Sequence, residues 1–251
     1  MIRQTNDLMG YAGGLFCGGL LAAVGCASDR PCCRTAEQDC TQPHAVAAPS
    51  TAPSTGSVLA ANPGEWVELF DGRTLTGWKV LTEKAFDDHG PVYVENGTII
   101  LGTGNRETGI RCTRDFPRDD YEISLEGMRV DGYDFFCGMT FPVGEEPCTL
   151  ILGGWGGSVV GLSNVDGAHA AENETTEGYN FENGRWYEIR LRVTPDRIGA
   201  WINDDQVVNL ERAGRTFSVW WEQEPCRPFG ISSWETKAAL RNIKVRRIPG
   251  P

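Results

Sequence analysis

The chain has 251 residues, of which 40% are apolar, 10% aromatic and 23% charged, fractions that exclude collagen-like, coiled-coil and wholly disordered chains. Its 34 acidic side chains outnumber 23 basic ones for a net charge of −11, and a surface without clustered Lys and Arg argues against a nucleic-acid partner. The 31 Gly, 14 Pro and 8 Trp favour a turn-rich β domain over a helical bundle.

These totals are unevenly spread. All eight Trp lie beyond residue 61, whereas Cys17, Cys26, Cys32, Cys33 and Cys40 crowd into the first 40 residues. An apolar, small-residue run over 9–25 follows Arg3. It is short for a membrane span, which needs ~20 apolar residues, and fits the apolar region of a secretory signal. Its end, Leu21-Ala22-Ala23-Val24-Gly25-Cys26, resembles a bacterial lipobox. The expectation is a signal segment over 1–26 and an extracytoplasmic protein, either held on a membrane of the cell envelope by lipid on Cys26 or released to the periplasm or exterior by plain cleavage of the signal. Residues 43–61 are mostly Ala, Pro, Ser and Thr without apolar periodicity, so 27–61 reads as a Cys-containing tether.

Residues 62–251 are long enough for one domain with a large core. Strand signals fall at 66–69, 92–95, 98–101, 121–130, 135–141, 149–152, 158–162, 186–193, 197–203, 206–210, 217–221, 229–233 and 241–248. The clearest is 186–193, where Tyr187, Ile189, Leu191 and Val193 alternate with Glu188, Arg190 and Arg192, the period of a strand with one buried face. Asn96-Gly97 predicts a type I′ hairpin, and Thr194-Pro195-Asp196 predicts another turn. Many short strands joined by hairpins imply an all-β fold, a two-sheet antiparallel jelly-roll sandwich. The first and last strands, around Val67 and Val245, are expected to pair.

The opening segment Trp66-Val-Glu-Leu-Phe-Asp-Gly-Arg-Thr-Leu-Thr-Gly-Trp78 resembles the signature of the 3-keto-disaccharide hydrolase family. Asn183-Gly-Arg-Trp-Tyr-Glu-Ile-Arg-Leu191, Ala200-Trp-Ile-Asn203 and Leu240-Arg-Asn-Ile-Lys-Val245 match its later signatures in order. The resemblance spans 65–248 and implies a concanavalin-A-like sandwich acting on carbohydrate. Many members carry a Gln-x-His-Gly-like segment before the last strand. Residues 232–239 have no His there, which leaves open a lectin-like module that binds sugar without cleaving it. A 3-keto sugar has an acidified C2–H, so cleavage needs a base for that proton and an acid or metal at the C1 substituent.

Candidate groups follow in chain order. Arg111 can hydrogen-bond sugar hydroxyls or make a structural ion pair. Asp134 precedes an apolar strand that places it at a rim, where a carboxyl can serve as acid or base. Trp155 sits in Gly153-Gly-Trp-Gly-Gly157, where glycines permit close approach of a ligand or simply make a bulge. Asn164, Asp166 and Glu174 are hard oxygen donors suited to a divalent metal such as Ca²⁺, or to a solvated loop. His169 is the loop's basic candidate, and His89 a turn residue or metal ligand. Trp220, Trp221, Glu222 and Gln223 bring indoles, carboxylate and amide together. The enzyme reading assigns Asp134 and Glu222, with Glu174 or His169, to acid and base roles. It assigns Trp155, Trp220, Trp221, Gln223, Arg111 and Asn164 to binding. The four domain cysteines, Cys112, Cys137, Cys148 and Cys226, are open to disulfide pairing in an extracytoplasmic setting.

Overall fold

A computed structural model describes residues 57–249. The signal segment, Cys26 and most of the tether lie outside these residues. In chain order the strands are β1 (Trp66–Glu68), β2 (Trp78–Val80), β3 (Val92–Glu95), β4 (Thr98–Leu101), β5 (Glu107–Cys112), β6 (Tyr121–Asp131), β7 (Cys137–Val143) and β8 (Glu146–Gly153). There follow β9 (Val159–Ser163), β10 (Glu177–Gly178), β11 (Trp186–Val193), β12 (Arg197–Ile202), β13 (Asp205–Glu211), β14 (Gly230–Trp234) and β15 (Lys237–Arg247).

They form two antiparallel sheets, the expected sandwich. One runs β13-β12-β11-β6-β15-β4-β3, with β1 on β15, and the other runs β10-β9-β8-β7-β14-β5-β2. The alternation read from the sequence survives in β11, where Tyr187, Ile189, Leu191 and Val193 are all buried. They share one apolar core with Ile123 and Leu125 of β6 and with Ile110, Met139, Leu150, Leu162 and Ile231 of the second sheet. Val67 pairs with Val245, joining the first and last strands. Asn96 and Gly97 both have positive φ, 49° and 76°, as the type I′ turn between β3 and β4 requires.

The structure differs from the sequence reading in three places. Residues 217–221 do not form a strand. Phe217 makes a single bridge to Val165, and the chain then turns so that the Gln223 N–H donates to the Trp220 carbonyl (2.9 Å). Strands β2, β5 and β10 were not anticipated, because short or Gly- and Thr-rich segments carry too few apolar side chains to mark a period. Finally, the four domain cysteines are buried and carry free thiols. Cys112, Cys137 and Cys148 occupy core-facing strand positions, where a thiol packs as a small apolar group.

Candidate active site

Side chains that point away from the core on the second sheet build the site. In β5, Ile110 and Cys112 face the core, so Glu107, Gly109 and Arg111 face outward. Cross-strand pairing carries this face along the sheet. Glu107 lies opposite Trp234 and Gly109 opposite Ser232, Gly138 pairs with Ser232, Thr140 with Thr149, and Thr149 with Ser163. Small residues keep this face low. A Cβ at Gly138 would lie 2.9 Å from the ring of Phe135, which packs over it.

Above that floor opens a cleft of about 320 Å³ lined by Glu107, Asp134, Phe135, Trp155, Trp220, Glu222, Gln223 and Trp234 among others. Its walls are loops. Trp155 stands in the turn after β8 with φ 49° and ψ 53°, among Gly153, Gly156 and Gly157 that also have positive φ. Asp134 shapes this turn: its Oδ2 accepts from the Gly156 N–H (3.2 Å) and its Oδ1 from the Phe135 N–H (2.8 Å). His169 stacks on Trp155 with ring centroids 4.9 Å apart, and its ring lies 6.0 Å from that of Trp220. Its Nε2 is 3.1 Å from the Glu172 carboxylate. Trp155 and Trp220 remain 46% and 45% exposed. Such indole faces are unsatisfied apolar surface in a monomer.

Beneath the aromatics lies a polar network. Gln223 donates through Nε2 to Glu107 Oε1 (2.6 Å). Its own Oε1 accepts from Ser232 Oγ (3.2 Å) and Thr140 Oγ1 (3.4 Å). Glu107 is 1% exposed, and burial pushes its pKa up to about 8, with Glu222 adding a smaller push in the same direction. The nearby Ser232 hydroxyl and the Gln223 amide pull the other way without restoring the ordinary range.

The structure therefore brings Asp134, Trp155, Trp220, Glu222 and Gln223 into one cleft, with His169 stacked at its wall. It does not bring in the others. Trp221 is 50% exposed and is not part of the cleft lining. Arg111 lines a different depression, with Arg114 and Arg227. Glu174 is paired with Arg215, and the same guanidinium lies 2.7 Å from Asp166. Asp166 is also held low by the Thr216 N–H. The Asn164 amide donates to Ser218 Oγ (3.2 Å). The two carboxylates of this trio thus converge on a cation the chain itself supplies. Among the described residues no group of three or more His, Cys, Asp or Glu is placed to hold a metal ion. His89 bonds the adjacent Gly90 carbonyl (2.7 Å). Glu107 and Trp234 belong to the cleft but were not singled out from the sequence. A Glu between Arg106 and Thr108 gives no local signal of burial.

The profile of the 3-keto-alpha-glucoside-1,2-lyase-like domain matches residues 65–246. The chain belongs to that family. The lyase-like family match covers every strand from β1 to Arg246 in β15, and hence every residue of the cleft. No curated protein matches the chain. Among solved structures, an apo Crh5 transglycosylase superposes with a TM-score of 0.50 at 10% identity, covering 74% of this chain and 85% of its own. A Bacillus subtilis protein of unknown function with a galectin-like fold gives 0.49 at 12% identity, covering 70% and 92%. The carbohydrate-binding module CBM66 from Bacillus subtilis gives 0.47 at 15% identity, covering 68% and 95%. At 10% identity the likeness to the transglycosylase is one of fold alone.

Proposed function

We propose that this member of the lyase-like family cleaves the C1–O bond of 3-keto-glycosides, with the sugar held against Trp155, Trp220 and Trp234. The observation that carries this reading is a cleft whose aromatic walls enclose the carboxyls of Glu107, Asp134 and Glu222. Indole faces stack on the apolar face of a pyranose while carboxyls and the Gln223 amide meet its polar edge. The C3 ketone acidifies the C2 proton, and Glu222 is assigned as the base that takes it. A second, protonated group must then meet the oxygen leaving C1. With the lipobox-like segment ending at Cys26, the same reading places the domain on the cell envelope.

A second reading, sugar binding without cleavage, is favoured by two observations. Both Asp134 oxygens already accept backbone N–H bonds, and β14 supplies no His to the cleft. Incubation of the purified protein with 3-keto-trehalose, 3-keto-lactose and their unoxidised parents separates the two. The expected outcome is release of free sugar from the keto substrates alone, abolished by Glu222→Gln and weakened in binding by Trp155→Ala. Saturable binding of either sugar without release supports the binding module, and release that survives Glu222→Gln overturns the assignment of the base.

A further inference from the structure

Glu107 presents a carboxyl with two unlike oxygens. Oε1 accepts from the Gln223 amide at 2.6 Å. Oε2 is buried with no hydrogen-bond partner among the described residues, and the side chain lines the cleft. A buried oxygen without a partner is costly, the more so if charged, so its retention calls for an explanation. The Gln223 amide supplies part of one. Its carbonyl end is turned to Ser232 Oγ, Thr140 Oγ1 and the Cys226 thiol (3.7 Å), which leaves only its N–H to face Glu107. An N–H donor makes Oε1 the acceptor. A proton carried by this carboxyl therefore sits on Oε2, the oxygen the protein leaves unbonded.

We propose that Glu107 is the catalytic acid of the cleft, giving its proton through Oε2 to the oxygen that leaves C1, with Gln223 as its positioning residue. This rests on the 3-keto-glycoside reading above. The step balances within the active site. Glu222 takes the C2 proton, that C–H pair becomes the C1=C2 bond, and the C1–O pair goes to the departing oxygen, which takes the proton from Glu107. The products are an unsaturated 3-keto sugar and a free alcohol, and water returns the proton from Glu222 to Glu107. Burial supports the role, since it keeps the carboxyl in its acid form at neutral pH. Asp134, whose Oδ2 already holds the turn that carries Trp155 and whose Oδ1 accepts from the Phe135 N–H, is left to position that ring.

The test is leaving-group dependence, which a purely structural role would not move. Wild-type protein, Glu107→Gln and Glu107→Asp are assayed on 3-keto-trehalose, whose leaving sugar needs a proton, and on 4-nitrophenyl 3-keto-α-glucoside, whose nitrophenolate leaves without one. The expected result for Glu107→Gln is a loss of about 10²-fold or more in kcat on the disaccharide and only a few-fold on the aryl substrate. Glu222→Gln is expected to lose both. Equal losses on the two substrates in folded Glu107→Gln, or no loss on either, overturn the role of Glu107 alone. Failure of the wild type to turn over either substrate overturns the reaction and this role together. Glu107→Asp keeps an acid but withdraws it by one methylene. It is read in the same way and decides the matter if the amide variant does not fold.

Discussion

The Glu107 carboxyl keeps its proton in the folded protein to about pH 8, whereas its ordinary value is 4.5. Between those limits the unfolded chain has released a proton that the native state still holds, so stability falls as pH rises through this window and levels off above it. The shift corresponds to at most about 5 kcal/mol. Glu107→Gln removes this dependence. In urea titrations at pH 5 and pH 9, the variant is expected to gain on wild type by a few kcal/mol at the higher pH. An unchanged difference would show that the site does not bury an acid. Nothing around this residue in the chain announces the role. Glu107-Thr-Gly-Ile-Arg-Cys112 lacks an apolar run, and the amide that partners Glu107 arrives from 116 positions away. By contrast Glu222 and Gln223 were legible, because two indoles precede them directly.

The walls of the cleft depend on loops that hold themselves by local bonds. In the loop after β9, the Asn173 amide donates to the carbonyls of Leu162 (2.8 Å) and His169 (2.9 Å), and its oxygen accepts from Thr175 Oγ1 (2.6 Å). This fixes the segment on which His169 stands, and through its stack, Trp155. Asn173→Ala is expected to lower stability by about 1–2 kcal/mol and to weaken sugar binding about tenfold, read by calorimetry. Unaltered binding would mean that the stack is not set by this loop. The sequence named Trp155, His169 and Trp220 separately from glycine content, polarity and composition. Their adjacency depends on three loops meeting over one sheet, and no local pattern encodes that. The strands themselves were far more legible. β11 ends where its alternation ends, and the β3–β4 hairpin follows from its Asn-Gly turn. β5, with Gly109 and Thr108 in place of larger apolar groups, carried too weak a period to be read.

Across the whole molecule the outward sides of the two sheets are built to opposite purposes. The first sheet is closed over by charge. Glu122 of β6, itself 1% exposed, accepts from Arg192 of β11 (2.6 Å) and Arg246 of β15 (2.8 Å), its two neighbouring strands. Guanidinium groups also cover Trp66, Trp186 and Trp201 at 4.5, 4.1 and 4.2 Å from the ring centroids. Glu122→Gln is expected to cost about 2–3 kcal/mol, below the full penalty of a broken buried pair because both guanidinium groups keep some contact with water. kcat is expected to stay unchanged, and a loss of activity at constant stability would contradict the separation of the two sides. This arrangement also has an optical consequence. Trp66, Trp186 and Trp201 emit from beneath cations on the closed side, and Trp78 from the core, where its indole N–H is bound to the Leu69 carbonyl (2.8 Å). Trp155 and Trp220 emit from the cleft beside an imidazole. Sugar entering the cleft changes the emission of the indoles that line it, Trp155, Trp220 and Trp234, against the steadier signal of Trp66, Trp78, Trp186 and Trp201, so the native protein carries its own unlabelled fluorescent gauge of occupancy.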